Sequence, residues 1–297
     1  MSSPPKPVSR FFTSQRLQLH YVEWGPADAP PLLLIHGGRD HCRNWDRVAE
    51  HLSRDWRIIA PDLRGHGDSQ WSNSGLYTYD AWLWDLLALT EHLRLDRATL
   101  VGHSLGGYIA LRYAAAFPER VHKLVCIEGL GPAPEDVKRN HRRNSAERLR
   151  EQALYRLKLP ERQSHRYDSL EQAIAHFHSR NPNLSAAQAE HLASHGSRRL
   201  EDGRYAWKFD DFARKPAQLW SSEAELLELI EAVRCPVLLP WGEDSFFSLA
   251  DNQPRIDHFS DARVVLYANA GHWPHHDRFE DFVREVAGFV ADSGRPE

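Results

Sequence analysis

Cysteine is scarce in this chain: 297 residues hold three, Cys42, Cys126 and Cys235, far apart and without metal-ligand spacing. An odd, sparse set excludes a disulfide framework and indicates reduced thiols. Excess charge is also lacking. Lys and Arg number 37 against 41 Asp and Glu, a formal net charge of −4, which leaves no electrostatic footprint for nucleic acid or an anionic membrane surface. No run of about 18 apolar residues occurs, so a membrane-spanning helix is not expected. Residues 1–10 lack the apolar stretch of a secretory signal. Internal repeats and low-complexity segments are absent too. The expectation is a soluble, cytoplasmic protein.

The length suits one α/β core carrying an insertion. Short β-branched and Leu-rich runs alternate with longer amphipathic stretches, as in a mostly parallel central sheet flanked by helices. Strands are predicted at Leu17–Trp24, Pro31–Ile35, Arg57–Ala60, Ala98–Val101, Lys123–Ile127, Pro236–Trp241 and Arg263–Tyr267. Helical periodicity marks Asn44–Arg54, Tyr79–Arg94, Leu105–Phe117 and Arg278–Ala291.

Residues 132–220 differ from the core segments 1–131 and 221–297. They show no convincing strand and are crowded with Arg, Glu, His and Gln. Their apolar residues, such as Leu149, Ala153, Leu157, Leu170, Ile174 and Phe177, recur at helical spacing. The stretch therefore reads as a helical cap inserted over the sheet. Recurring aromatics (Tyr155, Tyr167, Phe177, Tyr205, Trp207, Trp220) argue against a disordered linker. The basic run Lys138–Arg143 reads as a solvated helix face.

Chemistry concentrates where the strand Ala98–Val101 runs into Gly102-His103-Ser104-Leu105-Gly106 and then a helical stretch. Strand, sharp turn and helix make a nucleophile elbow with Ser104 at its tip, flanked by the small residues such a turn requires. A serine hydroxyl needs a base to remove its proton. His272 follows the last predicted strand, at the sheet edge where active residues of α/β proteins gather. The neighbouring His275 and His276 read as polar residues at a helix end, and no carboxylate or Cys near them has zinc spacing. A developing oxyanion needs donors. The N–H of Leu105, directly after the serine, is one, and Gly38, in His36-Gly37-Gly38-Arg39 after a strand, suits the other.

A further loop, Pro61-Asp62-Leu63-Arg64-Gly65-His66-Gly67-Asp68-Ser69, is by itself only a Gly-rich charged turn. With the His-Gly run, the elbow and the late Gly271-His272, it resembles the α/β-hydrolase superfamily. All four motifs occur in that family's order, across residues 31–131 and 233–292. The resemblance implies that fold, with residues 132–220 as the family's variable cap. Related haloalkane dehalogenases and epoxide hydrolases place an aspartate at the elbow. Ser104 instead implies acyl transfer: hydrolysis of an ester, a thioester, a lactone or a carbon–carbon bond.

The carboxylate behind the histidine is open between two residues. The family usually places it after the penultimate strand as Gly-x-x-Asp, but Trp241-Gly242-Glu243-Asp244-Ser245 puts Ser245 there, with Asp244 one residue early. Asp244 is the first candidate. Glu128 is the second, ending the strand after the elbow helix, where an acid is unusual unless paired.

Substrate contacts are expected from Arg39, Trp273, Phe246 and Phe247, whose loops lie at the sheet's carboxyl end. The cap aromatics read more as packing than as pocket lining. The favoured reading is a serine hydrolase of carboxylesterase type, acting on a small apolar or aromatic ester. A hydrolase of carbon–carbon bonds in aromatic ring-cleavage products is the alternative enzyme. A non-catalytic ligand-binding receptor on the same fold is the alternative from another class. The sequence implies no organic cofactor, no metal and no nucleic acid partner, and it is compatible with a homodimer formed through the cap.

Overall fold

The computed structural model describes residues 6–160, 165–214 and 222–292. Its strands are β1 (Val8–Ser14), β2 (Leu17–Trp24), β3 (Pro31–Ile35), β4 (Arg57–Pro61), β5 (Ala98–His103), β6 (Val121–Ile127), β7 (Ser197–Arg199), β8 (Tyr205–Trp207), β9 (Val237–Gly242) and β10 (Ala262–Tyr267). Its helices are α1 (Asp46–Leu52), α2 (Tyr79–His92), α3 (Leu105–Ala116), α4 (Pro134–His141), α5 (Ser145–Leu157), α6 (Leu170–Arg180), α7 (Ala186–Gly196), α8 (Glu223–Ala232), α9 (Leu249–Ile256), α10 (Pro274–Asp277) and α11 (Phe279–Ala291).

Eight strands form one sheet in the order β1-β2-β4-β3-β5-β6-β9-β10. β1 and β2 run antiparallel, as do β2 and β4, and every other neighbouring pair is parallel. The central runs are continuously apolar because both faces are covered. Leu32, Leu34, Val101, Val125 and Leu238 pack with α1 and α11 on one face. Leu33, Ile35, Leu100, Leu124 and Leu239 pack with α2, α3 and α8 on the other. The α/β class with a mostly parallel, helix-flanked sheet is as expected.

From β3 the chain crosses to β4 on one side and then returns to β5 on the other. The crevice at such a reversal of strand order, beyond the carboxyl ends of the strands, is where α/β sheets bind ligands. The loops after β3 and β5 meet there.

Two strand expectations need correction. β1 was not anticipated. It pairs with β2 through a tight turn at Gln15 and Arg16, both with positive φ (46° and 69°), and neither residue carries the Asn-Gly or Asp-Gly signal that usually announces such a hairpin. The inserted segment also holds the hairpin β7–β8, where no strand was expected. Its signal was readable, for Asp202-Gly203 stands at the turn and Gly203 has φ 86°. Tyr167 and Tyr205 exchange backbone hydrogen bonds of 2.9 and 2.7 Å and extend it.

The inserted segment meets the core at several polar points, from α7 and from the loop after β8. Tyr77 Oη donates to Asp210 (2.6 Å), the Asp210 N–H donates to Gly65 O (2.8 Å), and His41 Nε2 donates to Leu192 O (2.9 Å). A small apolar cluster of Leu184, Ala189 and Leu192 packs with Phe177 and with Trp273 from the core. Trp220 and the expected boundary at residue 221 lie outside the described residues. No helix among the described residues is long and apolar enough to cross a membrane.

Candidate active site

Ser104 stands between β5 and α3 with φ 51° and ψ −113°, a conformation that costs an L-residue about 1–3 kcal/mol and persists only where its surroundings over-determine it. Its N–H donates to Ile127 O (2.8 Å), and its C=O accepts from the Tyr108 N–H (3.0 Å). Two residues further on, a Cβ at Gly106 would lie 2.3 Å from Ile35 O. Only glycine there lets α3 start directly against the end of β3. The Ser104 hydroxyl is on a cavity of about 620 Å³ that His272 also lines.

His272 Nδ1 donates to Glu128 Oε2 at 2.6 Å. Its Nε2 has no partner among the described residues, so the ring is held in the tautomer whose free lone pair can take a proton. Glu128 is buried and has φ 47°. The next residue shows why the chain turns there: a Cβ at Gly129 would sit 2.6 Å from Gly107 Cα, so only glycine can cross the start of α3. Two further donors reach the Glu128 carboxylate, the Gly242 N–H at 2.8 Å and Ser245 Oγ at 2.5 Å. Three donors on one buried carboxyl suit the acceptor-only carboxylate.

His272 thus meets Glu128, the second of the two candidate acids, and not Asp244, the first. Asp244 lines the cavity but is exposed, and its carboxylate has no partner among the described residues. The reason lies in the loop after β9. The Ser245 N–H returns to Gly242 O (3.2 Å) and the Asp244 N–H is tied to Ala270 O (2.8 Å). That tight turn points the Ser245 hydroxyl inward, onto Glu128. The serine at the expected acid position thus donates to a carboxylate that comes from the end of another strand.

Other histidines build the frame. His103 is buried, its ring 4.6 Å from that of His272, and its Nε2 donates to the His272 carbonyl (2.8 Å). Burial, then repulsion from His272, holds it well below the ordinary histidine range, so it acts as a neutral donor. Sequence reading passed over this residue, because the x position of the elbow carries no motif signal. His36 Nδ1 donates to Gly37 O (2.7 Å) while Nε2 accepts from the Leu63 N–H (3.0 Å). Burial pushes it down to about 3. It pins the loop of Gly38 to the Pro61–Ser69 turn. Within that turn, Asp62 accepts from His20 (2.7 Å) and from the N–H groups of Cys42 (2.7 Å) and Asp68 (2.8 Å). Against burial, which would raise it, the hydrogen bond and charge of His20 hold Asp62 well below the usual carboxylate range.

His275 and His276 stand on the short helix α10, at the helix end expected for them. They are buried, and both donate from Nε2 to Asn44 Oδ1 at 3.0 Å. Burial lowers both, His276 to about 3, so they serve as neutral core donors. The fold also gathers two groups of potential metal ligands that spacing did not show, His20 with Cys42 and Asp62, and Asp46 with His191 and His195. Protein partners engage both carboxylates: Asp62 as described, and Asp46 through Arg43 and His191.

Gly38 and Leu105 both line the cavity. Leu105 opens α3, so its N–H has no intrahelical acceptor, and neither it nor the Gly38 N–H has a partner among the described residues. Arg39, Trp273, Phe246 and Phe247 line the cavity too. Phe246 and Phe247 flank the His272 ring with centroids at 4.5 and 5.2 Å. Tyr79, Tyr108, Arg180, Leu184 and Arg214 also contribute, and the sequence offered no signal for them. Tyr155, Tyr205 and Trp207 are not among the lining residues, and Trp207 donates to Tyr167 Oη (3.1 Å).

The alpha/beta hydrolase fold family model matches residues 30–279. The chain is 28% identical to a serine hydrolase-like protein of Danio rerio, over 75% of this chain and 68% of that one. It is 27% identical to the esterase Rv0045c of Mycobacterium tuberculosis, over 91% and 85% of the two chains. The thioesterase domain from the curacin biosynthetic pathway shares the fold, with a TM-score of 0.85 at 24% identity, over 95% of this chain and 99% of that one. The chain belongs to the alpha/beta hydrolase fold family.

Proposed function

We propose that the protein hydrolyses small carboxylic esters through an acyl-enzyme on Ser104. The observation that carries this reading is the bond from His272 Nδ1 to the buried Glu128 carboxylate, which leaves Nε2 free beside the same cavity as Ser104. In the first half-reaction Ser104 Oγ attacks the ester carbonyl as His272 Nε2 takes its proton. The N–H groups of Gly38 and Leu105 receive the developing oxyanion. Collapse breaks the bond to the alkoxy oxygen, and His272 returns the proton to the departing alcohol. Water then attacks the acyl-enzyme and gives a proton to His272. The second collapse re-forms the serine hydroxyl and releases the carboxylic acid. Glu128 stays ionised throughout, orienting the ring and stabilising the imidazolium. Phe246, Phe247 and Trp273, with Tyr79 and Tyr108, supply an aromatic wall suited to an apolar or aromatic substrate.

A fluorophosphonate probe and para-nitrophenyl esters of graded chain length test the proposal. The wild type is expected to be labelled at Ser104 and to turn over short esters. Ser104→Ala should abolish labelling and lower kcat on the order of 10⁴-fold or more. Hydrolysis that survives the substitution would refute covalent catalysis by this serine.

A further inference from the structure

Three arginines line the cavity that holds Ser104 and His272. Arg39 follows Gly38 in the loop after β3, Arg180 ends α6, and Arg214 ends the single helical turn Asp211–Arg214. They come from separate elements, two of them in the insertion, and they converge. Desolvation, then repulsion from Arg214 and Arg180, lowers the Arg39 guanidinium from its ordinary value. Arg214 meets Asp211 at 2.5 Å. The guanidinium groups of Arg39 and Arg180 have neither an ion pair nor a hydrogen bond among the described residues. Arg39 also has φ 63°, a strained conformation for a residue with a side chain.

The acids of the cavity are placed elsewhere. Glu128 and Asp277 stand with the loop that carries His272, and Asp277 accepts from the Gly271 N–H at 2.8 Å. Asp244, on the adjacent loop, is tied through its N–H to Ala270 O. Positive charge thus gathers on the oxyanion-loop and insertion side, where Arg214 alone of the three arginines is paired with an acid, Asp211, among the described residues. Like charges brought together in a cleft raise the local concentration of an opposite charge. Guanidinium groups match planar oxyanions with paired hydrogen bonds.

We propose that the substrate carries an oxyanionic group, a carboxylate or a phosphate, which Arg39, Arg180 and Arg214 receive while the scissile carbonyl lies at Ser104. This rests on the ester-hydrolase reading and narrows its substrate class. The arginines act in binding and take no part in bond making.

Two matched pairs locate the anion. Para-nitrophenyl pentanoate against mono-para-nitrophenyl glutarate places a carboxylate on the acyl side. The butyryl thioester of N-acetylcysteamine against butyryl-CoA places phosphates on the leaving group. The wild type should favour the anionic member of one pair by about 10-fold or more in kcat/KM, the scale of a charge-assisted contact. Arg180→Gln, Arg214→Gln and Arg39→Gln should each shrink that preference severalfold, mainly through KM, and added salt should shrink it in the wild type. Fluorophosphonate labelling of each variant confirms an intact elbow. No preference in either pair, or a preference indifferent to all three substitutions, would overturn the inference while leaving ester hydrolysis intact. Absence of labelling and of all turnover in the wild type would instead defeat the ester-hydrolase reading. Calorimetric binding of glutarate and of inorganic phosphate, wild type against Arg180→Gln, reads the anion site without turnover. Equal or absent binding of both anions in the two proteins would count against it.

Discussion

Helices α3 and α5 are of nearly equal length and stand in opposite circumstances. α3, behind Ser104, buries eight of its twelve residues. α5, in the insertion, buries none of its thirteen, and Leu149 and Leu157 on it are 68% and 71% exposed. The catalytic end of the sheet is over-determined: a strained serine, a glycine that no other residue could replace and a carboxylate with three donors. The inserted segment meets the core through hydrogen bonds, the ion pairs His191–Asp46 and Lys208–Asp68, a small apolar cluster around Leu192, and Phe212 and Ala213, which pack into the main core. The two helices differ in burial, and the cavity of Ser104 is lined from both the core and the insertion. Changes in the core should alter turnover of every substrate, and changes in the insertion should reorder substrates.

That contrast can be broken from either side. The largest expected effect is on the core side, at Ser104, where all substrates fail together. Next come the insertion arginines Arg180 and Arg214, where the anionic and neutral members of a pair should separate by severalfold. If neutral esters fell as steeply as anionic ones, the division between core and insertion would collapse. Ser245→Ala sharpens the core side, since it removes one donor from Glu128 and leaves the histidine bond in place. It should lower kcat by roughly 3- to 10-fold at constant KM, with Ser245→Thr restoring it. A change confined to KM would place Ser245 outside the catalytic network.

The smallest expected effect concerns the contact between His191 of the insertion and Asp46 of the core, at 3.1 Å. The hydrogen bond to Asp46, acting against burial, raises His191 above its ordinary value. A group whose folded pKa is raised contributes fully below its unfolded pKa and loses that contribution as pH rises through the folded value. His191 is 38% exposed, so the stabilisation is a few tenths of a kcal/mol. Wild-type Tm should therefore fall about 1 °C further than that of His191→Gln between roughly pH 6 and pH 9. Equal slopes in melting experiments would show that the pair does not tie insertion to core.

Features set by local spacing were legible in the sequence. The elbow at Ser104, the glycine of the loop after β3 and the histidine after β10 stand where short motifs put them, because each depends on a turn of a few residues. The central strands were legible as continuous apolar runs. The choice between Asp244 and Glu128 was not, since it depends on how the backbone turns between Gly242 and Ser245, a matter of one residue in a loop. β1 escaped because Gln15 and Arg16 form its turn without glycine or asparagine. The helix position of His275 and His276 was legible but their burial was not, since it depends on Asn44, which accepts from both. Arg180 and Arg214 had no signal at all. An arginine near a helix end is common on surfaces, and only the tertiary fold brings these two to the cavity of Ser104.

The central claim is that Glu128, and not Asp244, supports His272. Steady-state kinetics of Glu128→Gln and Asp244→Asn on one para-nitrophenyl ester, with serine labelling to confirm folding, tests it most directly. Glu128→Gln should lower kcat by about 10²- to 10⁴-fold, and Asp244→Asn should stay within about 3-fold of the wild type. A severe loss at Asp244 with near-normal turnover at Glu128→Gln would contradict the account.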